Sequence, residues 1–181
     1  MYNYENLAAI AKTCGFTHSA PLDVSVLEFM QDIRDMCNAE QCDQYGKSWS
    51  CPPACAPLEE IRENIKKYSA GILVQTVSEI EDSYDWDGII AAGTLQKKNF
   101  ARMWDELEKE YSDILALGSG ACKLCEACTY PDNPCRHPDR KEESMEAYGL
   151  FVSKVCKDNG LAYNYGSDKM AFTSCFLLGE R

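Results

Sequence analysis

Apolar residues recur at spacings of three and four in several stretches of the chain, and each stretch predicts a helix with one packed face. Asn6 to Ala11 predicts a short first helix that stops at Cys14-Gly15, and Phe16 to Ala20 a short strand. Pro21-Leu22-Asp23 then opens a second helix along Val24, Leu27, Met30, Ile33 and Met36, with Glu28, Asp32, Arg34 and Asp35 on its opposite face. Pro57 opens an amphipathic helix from Leu58 to Tyr68, with Glu59 and Glu60 in the first turn, where the helix dipole favours acids. Ala70 to Val77 is apolar enough to predict a central strand. Further on, the pattern predicts a helix over Phe100 to Tyr111, a strand over Asp113 to Leu117, a helix within Ser144 to Asn159 and a last strand over Met170 to Leu178. Strands separated by helices point to an α/β fold with a single mixed sheet flanked by helices, read as one domain over residues 1–181.

Two stretches, at about 37–55 and 118–138, lack any such periodicity. They are loops that need something other than apolar packing to order them. They hold eight of the eleven cysteines, and that changes the picture. Cys122-x2-Cys125-x2-Cys128-x6-Cys135 is a tight wrap, three cysteines in seven residues. Successive thiolates of such a wrap reach different iron corners of a 4Fe-4S cubane, whereas a single zinc more often takes two cysteine pairs from separate pieces of chain. Gly118, Gly120 and Pro134 permit the close turns the wrap needs. Cys37-x4-Cys42-x8-Cys51-x3-Cys55 is less specific, and iron-sulfur and zinc are nearly level there. His137 is an alternative ligand beside Cys135. Cys14, Cys156 and Cys175 fall in regular elements or at their ends and read as buried apolar thiols.

The formal charge is −11, from 18 basic and 29 acidic residues. That argues against a nucleic-acid binder, which needs a basic stripe, and against an anionic membrane surface as partner. No apolar run reaches the length of a membrane span, and Met1 to Asn6 carries neither a basic region nor a long apolar region of a secretory signal. The expected compartment is therefore the reducing cytoplasm, where a disulfide framework is disfavoured. Weaker signals remain. Ser83 to Gly88 faintly resembles a calcium loop but reads better as an acidic surface loop. Gly118-Ser119-Gly120 reads as a turn into the wrap more than as a phosphate cradle. Arg136, Arg140 and Lys141 form a small basic patch beside it.

The stretch Cys37…Cys42…Tyr45-Gly46…Trp49…Cys51-Pro52-Pro53, then Gly120-Ala121-Cys122-Lys123-Leu124-Cys125-Glu126-Ala127-Cys128, Cys135-Arg136-His137-Pro138 and Ser144 to Gly149, resembles an uncharacterised prokaryotic family of predicted metal-binding proteins, domain-of-unknown-function family 2284. The resemblance runs from about Cys37 to the C-terminus and implies a cysteine-ligated metal centre. Carried over residue by residue, it supports Cys37, Cys42, Cys51, Cys122, Cys125, Cys128 and Cys135, with Cys55 as the remaining candidate of the first group.

Three readings follow. One is an iron-sulfur protein with one or two 4Fe-4S clusters on the eight cysteines, acting in electron transfer or redox chemistry with a protein partner, or as an enzyme if one iron is left open. The alternative is a zinc-stabilised binding module without redox activity. The third, a thiol-based redox protein, requires a low-pKa exposed thiolate that no residue type or spacing singles out.

Overall fold

The computed structural model describes residues 3–38 and 40–179. Five strands form one open sheet: β1 (His18–Leu22), β2 (Ala70–Glu79), β3 (Ile114–Gly118), β4 (Glu143–Ser144) and β5 (Lys169–Leu178). Their spatial order is β1-β2-β5-β3-β4, antiparallel throughout except for the parallel pair β3 and β4. The helices are α1 (Tyr4–Cys14), α2 (Gln31–Asp35), α3 (Leu58–Ile65), α4 (Trp86–Leu107) and α5 (Val152–Asp158).

The period of two along each strand sends alternate residues to opposite faces. Ile72, Val74, Ala116, Phe176 and Leu178 point toward α1 and α4, and pack there with Leu7, Ala11, Phe100, Met103 and Leu107. Leu73, Leu117, Cys175 and Leu177 point the other way, onto α3 and α5, with Leu58, Ile61, Val155 and Cys156. The register makes this consistent: Ile72 faces Phe176 across one pair of strands, and Leu73 faces Cys175. A side chain such as Phe176 or Leu177, fully buried, contributes about 1.5–3 kcal/mol through apolar burial.

Two helix expectations are corrected, and the helix expected within Ser144 to Asn159 is found as α5. The helix from Pro21 to Met36 is broken, because the chain stays extended through Leu22 to pair with Gly71 on β2. Pro21 is tolerated there since β1 is an edge strand. Farther on, Phe29 bridges Leu150 and the Met30 N–H donates to the Gly149 carbonyl at 2.8 Å, leaving a single 3-10 turn at Val24–Val26 and the short α2. Gly149 has φ +76°, and a Cβ there would meet the Met30 backbone. The helix expected from Phe100 starts fourteen residues earlier, at Trp86. The stretch before Phe100 buries Ala92, Gln96 and Asn99. Gln96 donates to the Ser174 hydroxyl at 2.7 Å and Asn99 to the Thr76 hydroxyl at 3.1 Å, so this contact is polar and invisible to apolar periodicity. The acidic stretch before it is the cap: the Asp85 carboxylate accepts from the Gly88 N–H at 2.9 Å. In the Ser144 to Asn159 stretch, only α5 is α-helical, after β4 and a single turn at Glu146–Tyr148.

Candidate metal centre

The second cysteine loop leaves the sheet at the end of β3 and returns at β4. Its two ends meet at Gly118 and Glu142. A side chain on Gly118 would collide with the Glu142 carboxylate, which is why glycine stands there. Glu142 is buried and ion-paired with Lys97 of α4 at 2.6 Å. Burial pushes its carboxyl pKa up, and Lys97 pulls it back down. The pair fastens the base of the loop to α4.

Beyond that clamp, Cys122, Cys125, Cys128 and Cys135 line one cavity of about 150 Å³. Cys128 is exposed and the other three are half-buried. His137 lines the same cavity, and so do the cations Lys47, Lys123, Arg136 and Lys141 against one acid, Glu126. A second hollow of about 400 Å³, with walls of Pro131, Pro134 and Pro138, shares Trp49, Cys135 and Lys141 with the first. Arg140, expected in this basic patch, turns away. Its guanidinium stacks over Trp104 at 4.5 Å and pairs with Asp105 and Glu108, both at 2.7 Å.

The inner wall of the cavity comes from the first cysteine loop, through Gln44 and Lys47 to Ser50. Three contacts tie the loops together. The Cys122 N–H donates to the Ser50 hydroxyl at 3.1 Å, the Trp49 indole N–H donates to the Asn133 carbonyl at 3.0 Å, and Trp49 meets Tyr130 edge-on with centroids 4.9 Å apart. Ser50 is 1% exposed, so its hydroxyl is a fixed acceptor under the start of the wrap. Sequence reasoning missed both tethers. Trp49 stood within the family-like pattern as its only signal, and Ser50 gave none.

The first loop runs between α2 and α3 through tight turns. Cys42 N–H donates to the Asn38 carbonyl at 2.9 Å, Gly46 N–H to the Pro52 carbonyl at 2.9 Å and Ala54 N–H to the Cys51 carbonyl at 3.0 Å. Cys51 and Cys55 are buried, while Cys37 and Cys42 are half-buried. Burial pushes the Cys37 thiol up to about 11, with Cys42, Glu146 and Cys51 adding to it. Burial pushes Cys55 up to about 12, with Glu143 adding most among the charges. Arg34 of α2 pulls both back down.

Among the described residues, no three Cys, His, Asp or Glu side chains already stand as a ready-made site for one metal ion. The donor chemistry still fits a thiolate-ligated metal. The wrap sets four sulfurs around a common cavity ringed by cations that offset thiolate charge. Cys14, Cys156 and Cys175 lie apart from both loops as buried core thiols, each with its pKa raised by burial. No helix among the described residues is long and apolar enough to cross a membrane.

Neither a curated protein nor a solved structure matches the chain. A family model described as a predicted metal-binding protein (DUF2284) matches residues 20–178, from within β1 to the end of β5 and through both cysteine loops. The chain therefore belongs to the DUF2284 family of predicted metal-binding proteins.

Proposed function

We propose that the chain is an iron-sulfur protein that holds a 4Fe-4S cluster on Cys122, Cys125, Cys128 and Cys135 and exchanges electrons with a partner protein. The observation that carries this reading is the arrangement of four thiols from one short wrap around one cavity. A polynuclear cluster takes each thiolate at a different iron, so its donors stand around a space instead of converging on an ion-sized point. When bound, such a cluster supplies a one-electron redox couple. The chain's own residues do the rest. Lys47, Lys123, Arg136 and Lys141 offset the thiolate charge. Ser48, Trp49 and Ser50 close the inner side against water. Cys128 and the 47%-exposed Leu124 leave the outer side open for a partner's approach. Eleven free cysteines suit a reducing compartment, so the reading places the protein in the cytoplasm.

Zinc is the better occupant only for the first loop, where burial of Cys51 and Cys55 would close the site, as structural zinc sites are closed. The deciding experiment is anaerobic purification, with a visible spectrum and with iron, sulfide and zinc quantified on one sample. The reading expects a brown protein with about four irons and four sulfides per cluster-bearing loop. A colourless protein with stoichiometric zinc and no sulfide would replace it with a zinc-stabilised binding module.

A further inference from the structure

One buried side-chain polar atom among the described residues has no hydrogen-bond partner, Oε1 of Gln96. The amide Nε2 of the same residue donates to the Ser174 hydroxyl at 2.7 Å, and the residue is 1% exposed. A buried carbonyl oxygen without a donor is a cost that calls for an explanation. Gln96 stands in the wall of a hollow of about 260 Å³, separate from the two cavities at the wrap. Around it, α4 supplies Ile90 and Gly93, β5 supplies Phe172, and the chain entering the wrap supplies Gly120 and Lys123. No acidic residue lines this hollow, although the chain carries a formal charge of −11. Lys97, also in the wall, is answered by Glu142, whereas the exposed Lys123 makes no ion pair among the described residues. Gly93 is a second, independent observation. It lies in the interior of α4, where glycine is unfavourable. A Cβ there would meet the Phe172 ring at 3.5 Å, an ordinary contact, so packing does not demand glycine. What the missing side chain does is keep the hollow open.

We propose that this hollow binds a small 2-hydroxy acid with an apolar side chain. The hydroxyl donates to Gln96 Oε1 and supplies the missing partner. The carboxylate lies toward the Lys123 ammonium, and the apolar body packs against Phe172 and Ile90. Ligand sites of this kind are mostly apolar, with a few polar groups that fix orientation. An amino acid fits less well, because its ammonium would enter a hollow whose only charged residues are cations. Lys123 also lines the cavity of the four wrap thiols, so a bound acid lies next to the proposed metal centre. Binding itself does not depend on which metal that centre holds.

The test uses the full-length chain, purified anaerobically, with metal content measured on the same sample. It is titrated calorimetrically with lactate, 2-hydroxyisocaproate and phenyllactate, each paired with its deoxy analogue, propionate, isocaproate or 3-phenylpropionate. At least one hydroxy acid should bind about tenfold more tightly than its deoxy partner, the worth of one hydrogen bond to a buried acceptor. Gln96→Met keeps the length and removes the acceptor, so it should erase that preference while the deoxy acid binds as before. Gly93→Leu fills the hollow and should abolish binding of both acids, with Tm unchanged or raised, because leucine is the better helix former. This variant carries the comparison if Gln96→Met does not fold. Failure of all three hydroxy acids to bind overturns the proposal and leaves the Gln96 oxygen to a trapped water. Equal affinity for hydroxy and deoxy acids overturns it too, as does a preference that survives Gln96→Met or binding that survives Gly93→Leu. Metal content reports on the wrap separately, so loss of the iron-sulfur reading and loss of this site are distinguishable.

Discussion

The two loops carry the same number of cysteines at opposite depths. The first packs Ser48, Ser50, Cys51, Pro52 and Cys55 into the protein. The second keeps its wrap on the surface, with Cys128 exposed and most residues from Lys123 to Asp139 exposed as well. The first therefore has packing, a buried cation and raised thiol pKa values. The second has almost no packing of its own and leans on its neighbour through Ser50 and Trp49. The lesson, under the proposed metal-binding reading, is that depth would set what a metal has to do at each place. In the first loop it must displace protons from buried thiols but finds a scaffold partly built. In the second it finds accessible thiols and supplies most of the order itself.

The comparison is easiest to break by removing metal. A structural metal site can be worth on the order of 10 kcal/mol. Chelation should strip amide-exchange protection from residues 119–138 almost completely while the Ser48 to Cys55 segment keeps part of its own. The reverse order of loss would show that burial does not hold the first loop.

Single cysteines sharpen the same point. Cys55→Ser places a hydroxyl in a buried position and should destabilise the metal-free protein by about 1–3 kcal/mol. Cys128→Ser, at an exposed position, should leave metal-free stability within about 0.5 kcal/mol yet lower the metal content of the second loop. Urea unfolding and metal analysis on both variants check this, and equal stability losses would contradict it.

The pH response of the metal-free protein comes next. Cys37 and Cys55 have folded-state pKa values raised to about 11 and about 12, above the ordinary thiol value of 9.0. Their contribution to stability is whole below pH about 9 and is lost as pH rises toward 11 to 12. Metal-free protein should therefore lose Tm on going from pH 8 to 10.5, and metal-bound protein should lose less, because its thiols have already released their protons. A calorimetric series with no difference between the two forms would sink the argument.

The smallest effect is expected at the tether. Ser50→Ala removes the acceptor of the Cys122 N–H, worth about 1 kcal/mol. It should weaken metal retention in the second loop while sparing the first, as read by metal content after dialysis against a mild chelator.

Much of this was legible in the residues. The lack of apolar period from Cys122 to Cys135 marked that stretch as a loop, and the apolar runs at Ala70 to Val77 and Met170 to Leu178 announced the centre of the sheet. Other parts were not. The part of α4 before Phe100 buries Gln96 and Asn99 against polar strand residues, and no apolar period marks that. The stretch from Pro21 to Met36 has helical spacing, but strand pairing with β2 and the contacts of Phe29 and Met30 with the Gly149-Leu150 turn outweigh it. Arg34 looked like one charge on a solvated face until the fold covered it.

The sequence by itself determined the α/β class, the two aperiodic loops and the eight thiols they carry, because side-chain period and ligand spacing are local properties of the chain. Only the tertiary structure decided that the loops share a wall, that one is buried and the other open, and that Arg34 is covered with its guanidinium on the Ala56 carbonyl. Those are consequences of which segments meet across long sequence separations, such as Ser50 with Cys122 and Trp49 with Asn133, and no local pattern encodes them.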